Sequence, residues 1–143
     1  MKQRKKWAYL IGALLISFAL VSCGQKSLPD GFDGDEVLKS ARGVVEQLSK
    51  KDYTGVVEQF SSVMEGLDEK TLSETMEQKL DDLGEFVSVS SEDLTGGSSE
   101  KTGDFATAVL VCEYQYGSAT YTISFDKDGW ICGLYVKDRK SVV

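Results

Sequence analysis

The spacing of the apolar residues changes near Glu85, and this change constrains the fold more than any other feature of the chain. Before Glu85 the apolar residues recur every three or four positions, which is typical of amphipathic helices. After Glu85 they alternate with polar residues, which is typical of half-buried strands. We therefore predict an α+β fold in which three N-terminal helices pack on a curved antiparallel sheet of about four strands.

Three helices are predicted from apolar stripes over residues 37–48, 53–67 and 72–83. An aspartate precedes each stripe, in the place of a side chain that accepts hydrogen bonds from the first free backbone amides of a helix. Gly84 follows the third stripe and is suited to end that helix, because glycine adopts a positive φ without strain. The candidate N-cap residues are Asp33 or Asp35 for the first helix, Asp52 for the second and Asp68 for the third.

The second half of the chain predicts a short strand, a polar loop over residues 90–104 and three further strands. A two-residue turn at Gly117-Ser118 would pair Tyr116 with Ala119. That pairing places a continuous apolar and aromatic row on one face of the sheet, which we assign to the helices. The predicted strands are residues 86–89, 105–116, 119–125 and 130–137.

Two cysteines, Cys112 and Cys132, lie within the predicted strands. If Phe125 pairs with Trp130, both cysteines lie beside Ile123, one on each side of it. They are then about 9 to 10 Å apart, which exceeds the roughly 7 Å that a disulfide spans. We therefore predict no disulfide and two free, mostly buried thiols, although an additional bulge or a different strand order would reopen the question.

The N-terminus combines a basic start, an apolar segment over residues 7–21 and the sequence Leu20-Val21-Ser22-Cys23-Gly24. This order is typical of a secretion signal, and the apolar segment is shorter than the roughly 20 residues that span a bilayer. The Leu-Val-Ser-Cys quartet resembles the lipobox of bacterial lipoproteins, in which the cysteine receives a diacylglycerol and becomes the new N-terminus. We therefore predict lipid attachment at Cys23 and an extracytoplasmic domain anchored to the bacterial cell membrane, in preference to an uncleaved anchor or an ordinary cleaved signal.

This interpretation divides the chain into four parts. They are a signal peptide over 1–22, a lipidated cysteine and flexible tether over 23–34, a single domain over 35–138, and a tail over 139–143.

Removal of the signal makes the mature chain strongly acidic. The whole chain has 16 basic and 23 acidic residues, and four of the basic ones precede Cys23, which leaves a side-chain charge of −11. A nucleic-acid partner is therefore excluded, because nucleic acids are bound through Lys and Arg. The chain has no histidine, which excludes histidine-dependent hydrolase triads and the usual imidazole ligands of zinc. We predict no cofactor and no metal site.

Several short motifs resemble the family of domains of unknown function 3887. They are Tyr53-Thr54-Gly55-Val56-Val57, Phe60-Ser61-x-Val63-Met64, Gly84-x-Phe86 and Phe125-Asp126-x-Asp128-Gly129-x-Ile131-x-Gly133-Leu134. That family is similar to the nuclear-transport-factor-two-like, or cystatin-like, cone folds, in which helices pack on a curved sheet and leave a pocket between them. The resemblance therefore implies a cone-like fold with a pocket over about 37–136, and its motifs are structural rather than catalytic.

The leading functional hypothesis is non-catalytic binding of a small apolar ligand or a protein partner. Aromatic residues with polar groups suit the mouth of a pocket, although ordinary core packing is the alternative for the same residues. The face of the sheet away from the helices is apolar in its middle and is a candidate partner surface. The candidate pocket residues are Tyr114, Tyr116, Tyr121 and Trp130, and the candidate partner face is Val109, Val111 and Thr122.

Two alternatives stay open. A small isomerase or dehydratase on a cone fold would need a carboxylate and a tyrosine that face the cavity. Glu113, the acid within the long strand, points away from Tyr114 and Tyr121 in the predicted register. A homodimer through the face that contains Val109 and Val111 would instead make the protein a structural module of the cell envelope.

Overall fold

The computed structural model describes residues 28–140, which form helices followed by an open four-stranded antiparallel sheet. The α+β architecture expected from the sequence is therefore confirmed. The helices are α1 (Gly34–Ser49), α2 (Tyr53–Val57) and α3 (Glu69–Leu80), with short 3-10 helices at Ser62–Met64 and Asp81–Leu83. The strands are β1 (Phe86–Ser99), β2 (Gly103–Tyr114), β3 (Gly117–Asp126) and β4 (Ile131–Lys140), and they neighbour one another in chain order.

Aspartate side chains begin all three α-helices, as the sequence predicts. Asp33, rather than Asp35, is the N-cap of α1 and accepts from the Asp35 amide at 2.9 Å. Asp52 accepts from the amide of Gly55 at 3.1 Å in α2. Asp68 accepts from the Thr71 amide at 2.8 Å in α3. Each bond satisfies a donor that the helix itself leaves free, and this fixes the helix starts.

The second helix is much shorter than the predicted span of 53–67, so that prediction is wrong. The backbone amide of Ser61 donates to the carbonyl of Ile131 at 2.8 Å, and the amide of Ile131 donates to the carbonyl of Gln59 at 2.7 Å. These bonds join Phe60 to the start of β4 as an isolated bridge. Pairing with a strand competes with continuation of the helix, and Gly55 lowers the helix propensity of this short segment.

The predicted loop over 90–104 is also wrong, because β1 continues through it. Its residues pair with β2 as far as Ser99, which lies opposite Gly103. Irregularities in the register between Phe86 and Ser88 and between Val89 and Ser91 interrupt the alternation of faces. The strand lies at the edge of the sheet, where polar side chains are tolerated. These polar side chains are the reason that the sequence pattern predicted a loop.

The β2–β3 turn lies earlier than predicted. Tyr114, not Tyr116, closes the pairing and lies opposite Gly117. Gly117 is the first residue of β3 and pairs with both neighbouring strands. Glycine is required there because a Cβ would lie 2.3 Å from the carbonyl oxygen of Arg139. The slip preserves the parity of the two strands, so the same side chains still face the helices.

The core lies between this inner face of the sheet and the apolar sides of α1 and α3. Alternate residues of β3 are buried along its whole length, which is the pattern of a strand covered on one face. The largest buried side chains of the core include Leu48, Met76, Leu110, Tyr121, Ile123 and Ile131.

Cys112 and Cys132 are free thiols, and the register separates them further than predicted. Phe125 pairs with Ile131 rather than with Trp130, and Cys132 becomes the extra residue of a bulge in β4. Cys112 is aligned across the sheet with Asp138. Because Asp138 lies six residues along β4 from Cys132, about 20 Å separates the two positions.

The segment before α1 is partly folded, so the tether predicted over 23–34 is too long. Leu28 and Phe32 pack against the core. Pro29 lies against β1, where a Cβ added to Gly96 would come within 2.4 Å of the proline ring. The sequence did not indicate this packing, because Leu28 and Phe32 alone do not form a periodic apolar pattern. At the other end, β4 extends into the predicted tail as far as Lys140.

The predicted lipobox, with Cys23, lies outside the described residues. Within residues 28–140, no helix is long and apolar enough to cross a bilayer.

Adjacent residues of β2 test the assignment of the two faces. Leu110 is fully buried and Val109 is only partly buried on the opposite face. We expect Leu110→Ala to lower the free energy of unfolding by about 2 to 5 kcal/mol, because it leaves a cavity in the core. We expect Val109→Ala to cost about 1 kcal/mol or less. Urea unfolding with an unchanged m-value measures both, and equal losses would contradict the assignment.

Candidate binding cleft

The structure does not bring the four candidate pocket residues together. Tyr114 and Tyr121 are buried on the inner face, whereas Tyr116 is 57% exposed and Trp130 is 48% exposed. Tyr116 lies in the β2–β3 turn and Trp130 ends the β3–β4 turn, at opposite ends of the sheet. The prediction of a single aromatic pocket mouth is therefore wrong, because it ignored the length of β3 that separates the two turns.

A different cleft opens beside Tyr114, at the end of the sheet that carries the β2–β3 turn. Its volume is about 580 Å³. The helical side is formed by the end of α1, the start of α2 and the end of α3, and the sheet side by the first residue of β1 and the last of β2. The side chains that define its chemistry are Leu48, Lys51, Tyr53, Met76, Glu77, Leu80, Asp81, Glu85, Phe86 and Tyr114.

The corner between α1 and α2 places Lys51 and Tyr53 in this cleft. Lys51 has a φ of +63°, in the left-handed region that non-glycine residues rarely adopt, and this ends α1 sharply. The Asp52 amide then donates to the carbonyl of Gln47 at 2.8 Å, while the Asp52 side chain caps α2. Tyr53 thus enters the cleft from the first turn of α2.

Gly84 brings the other wall of the cleft into place. Its φ is +77°, and a Cβ there would lie 2.9 Å from the ring of Tyr116. The Tyr116 amide donates to the carbonyl of Leu83 at 2.7 Å, and the Gln115 amide donates to the carbonyl of Glu85 at 2.9 Å. Glycine is therefore required here both for its conformation and for the close approach of the β2–β3 turn.

Tyr114, which lines the cleft, forms a buried pair with Tyr121. The hydroxyl groups of Tyr114 and Tyr121 are hydrogen bonded to each other. Burial raises the pKa of both side chains, and burial followed by the nearby charges of Glu77 and Asp81 raises the pKa of Tyr53. All three phenols therefore stay neutral near pH 7, where they donate and accept hydrogen bonds but do not act as anions.

Charged groups at the rim of the cleft are mainly acidic. Lys51 lies 3.9 Å from Glu77, and Asp81 and Glu85 add two further carboxylates. A ligand that enters past this rim meets negative charge first and aromatic and aliphatic surface behind it.

Glu113, the acid that the enzyme alternative considered, does not line the cleft. Glu113 is exposed on the outer face, where it accepts from Ser90 at 3.1 Å. Burial, followed by the charge of Glu113, raises the pKa of Cys112 to about 12, so this thiol is not a nucleophile near neutral pH. Across residues 28–140, no three cysteine, aspartate or glutamate side chains are close enough to hold a metal ion.

The three residues of the candidate partner face do lie together. Val109 pairs with Thr122, and Val111 occupies the next outward position of β2. All three are partly exposed. Beside them, the hydroxyl groups of Thr107 and Ser124 are hydrogen bonded at 2.7 Å, so this face mixes small apolar groups with paired hydroxyls.

Sequence reasoning missed Tyr53 and Phe86 as residues of the cleft. Tyr53 was expected to belong to the stripe of a long second helix, and Phe86 to a short strand. The available signal was the run Lys50-Lys51-Asp52 between two helical stripes, which marks the corner, but its spacing does not show what the corner packs against.

The sequence profile of the family described as "Protein of unknown function (DUF3887)" matches residues 41–134. The chain belongs to this family. The match runs from α1 to β4 and therefore includes every wall of the cleft.

This DUF3887 domain also resembles a solved structure, an NMR structure of a protein from Ruminococcus gnavus ATCC 29149. The TM-score is 0.67 at 22% sequence identity, and the alignment covers 78% of this chain and 96% of the other. At this identity the likeness shows a shared fold. No curated protein matches the chain.

The hydrogen bond between Tyr114 and Tyr121 can be tested by its effect on the free energy of unfolding. Tyr121→Phe removes one hydroxyl and leaves that of Tyr114 buried without its partner, so we expect unfolding to become about 1 to 3 kcal/mol easier. Tyr116→Phe, in the exposed turn, is the matched control and should change little. Because burial raises the tyrosine pKa values, the stabilisation is complete below about pH 10 and is lost as the pH rises further.

Chemical denaturation between pH 7 and pH 11 measures both effects. The double variant Tyr114→Phe/Tyr121→Phe should lose less stability than the unaltered protein over the alkaline part of this range. An identical alkaline loss in the two proteins would show that the pair does not titrate as the structure implies.

Proposed function

We propose that this DUF3887 protein is a non-catalytic, lipid-anchored extracytoplasmic domain that binds a small ligand with an apolar body in the cleft beside Tyr114. The observation that carries the proposal is the coincidence of an open cleft and an aromatic and aliphatic lining that includes the neutral side chains of Tyr53 and Tyr114.

The size and lining of the cleft support binding. Sites for small molecules have volumes of about 300 to 1,000 Å³ and combine apolar walls with a few polar groups. This cleft has about 580 Å³. Phe86 remains 37% exposed at the mouth, where a ligand would cover it. Tyr53 and Tyr114 offer hydroxyl groups that orient a ligand without a change of charge.

The position of the cleft supports a cone-like interpretation of the fold. In this interpretation α1, α2 and α3 cover a curved sheet, and the covering is incomplete at the end where α1 stops at Ser49. The bulge at Cys132 and the irregularities of β1 are features that bend a sheet.

The lipid anchor in the proposal rests on the order of the N-terminal sequence. A basic start, an apolar segment and the quartet that ends in Cys23 are the parts of a lipoprotein signal. The acidic charge of the remaining chain gives no support to a nucleic-acid partner.

A neutral apolar fluorophore tests the cleft. We expect N-phenyl-1-naphthylamine to bind the domain, and Phe86→Ser to raise its Kd about 5- to 10-fold, because an aromatic wall is lost. Val87→Ser is the matched control, since Val87 is the next residue, is 64% exposed and is not among the residues lining the cleft. A fluorescence titration gives both values. Equal effects of the two substitutions, or no binding at all, would contradict the proposed site.

Metabolic labelling tests the anchor. In a bacterial host that makes the full chain, labelled palmitate should enter the protein and should be absent from the Cys23→Ser variant. Cys112→Ser, which changes another cysteine, should keep the label. Label in the Cys23→Ser protein, or unlabelled wild-type protein in the cytosol, would refute lipid attachment at this residue.

A further inference from the structure

The proposed lipid anchor and the cleft belong to opposite ends of the domain. We call the first the anchor end and define it by Leu28–Pro29, the β1–β2 turn over 100–102 and the β3–β4 turn over 127–130. The cleft end carries the β2–β3 turn. The sheet joins the two, because all four strands run between them.

The contacts of the first described residues place them at the anchor end. A Cβ added to Gly96 would lie 2.4 Å from the ring of Pro29 and 3.4 Å from the Cα of Leu28. Gly96 is aligned across β2 with Ala106. Ala106 and Tyr114, at the cleft, are eight residues apart on the same strand, which corresponds to about 26 Å.

The chain between Cys23 and Leu28 is too short to bridge that distance. Five residue steps join the two Cα atoms, and a fully extended chain spans about 18 Å over five steps. If Cys23 carries the lipid, the anchor end must therefore stay close to the bilayer surface, whatever path these residues take.

Trp130 is the aromatic side chain that the anchor end exposes most. It is 48% exposed and stands at the end of the β3–β4 turn. Its backbone is held firmly, because its amide donates to the Asp126 carboxylate at 3.0 Å and its carbonyl accepts from the Asp126 amide at 2.9 Å. Tryptophan is enriched at the membrane–water interface, where its ring and its N–H group are both accommodated.

We propose that the anchor end lies on the outer surface of the bilayer with Trp130 at the level of the lipid headgroups, so that the cleft opens away from the membrane and takes its ligand from the aqueous phase. The proposal rests on the lipid attachment at Cys23 proposed above. We name a lipid bilayer as the partner of this surface because the chain between the acylated cysteine and the domain is short and keeps the anchor end next to the membrane.

Charge does not drive this contact. Asp104, Asp126 and Asp128 outnumber Lys127 around the turn, and Lys127 is already within 3.4 Å of Asp104. Anionic lipids would repel this end. The test therefore uses zwitterionic phosphatidylcholine vesicles, in which the tether and Trp130 alone determine the orientation.

The test uses the processed, lipidated protein and its intrinsic fluorescence. The chain has two tryptophans, and Trp7 lies in the signal segment, so Trp130 is the single tryptophan of the processed chain. A nitroxide on the lipid headgroup should quench Trp130 in vesicles by about twofold or more. The matched variant Trp130→Phe/Tyr116→Trp moves the fluorophore to the cleft end, where the same lipid should leave it nearly unquenched.

The possible results distinguish the proposed orientation from the proposed lipid attachment at Cys23 and from the proposed ligand binding in the cleft. Vesicle-bound protein with equal quenching of both reporters, or with the stronger quenching at position 116, overturns the orientation and leaves the anchor intact. Protein that does not bind vesicles overturns the anchor and the orientation together. Binding of N-phenyl-1-naphthylamine in detergent reports on the cleft in either case.

Discussion

The structure depends on burial of the inner face of the β2–β3 hairpin under α1. Leu110, Cys112 and Ile123 are fully buried there, and every second residue of β3 is buried with them. Because the helices cover only this face, Val109, Val111 and Thr122 are left on the other side of the sheet. Because α1 ends at Ser49, the cover stops short of the β2–β3 turn. The cleft is the space that remains between that turn and the corner of the helices.

The side chains of the cleft support the proposal that it binds a ligand. The tyrosine hydroxyls are neutral and bonded to each other, the nearest acids lie at the rim, and the whole chain has no histidine. Burial also raises the pKa values of both thiols in the sheet. The combination of hydrogen-bonding groups with apolar walls supports the binding role proposed for the cleft.

The sequence predicted what local chemistry controls and missed what distant contacts control. The aspartate caps, the positive φ of Gly84 and the faces of the central strands follow from neighbouring residues and from parity. The length of the second helix depended on a bond from Ser61 to Ile131, seventy positions away. The extension of β1 depended on pairing with β2, which its polar side chains do not encode. The site was missed for the same reason, since Tyr53 and Phe86 meet across a corner whose packing no spacing reveals.

The proposed ligand site lies at the cleft end of the domain and not on the open face of the sheet. Amide chemical shifts of the isotopically labelled domain, recorded by NMR during addition of N-phenyl-1-naphthylamine, locate the bound molecule directly. We expect shifts confined to Lys51–Tyr53, Gly84–Phe86 and Tyr114–Tyr116. Shifts centred on Val109, Val111 and Thr122 would contradict it.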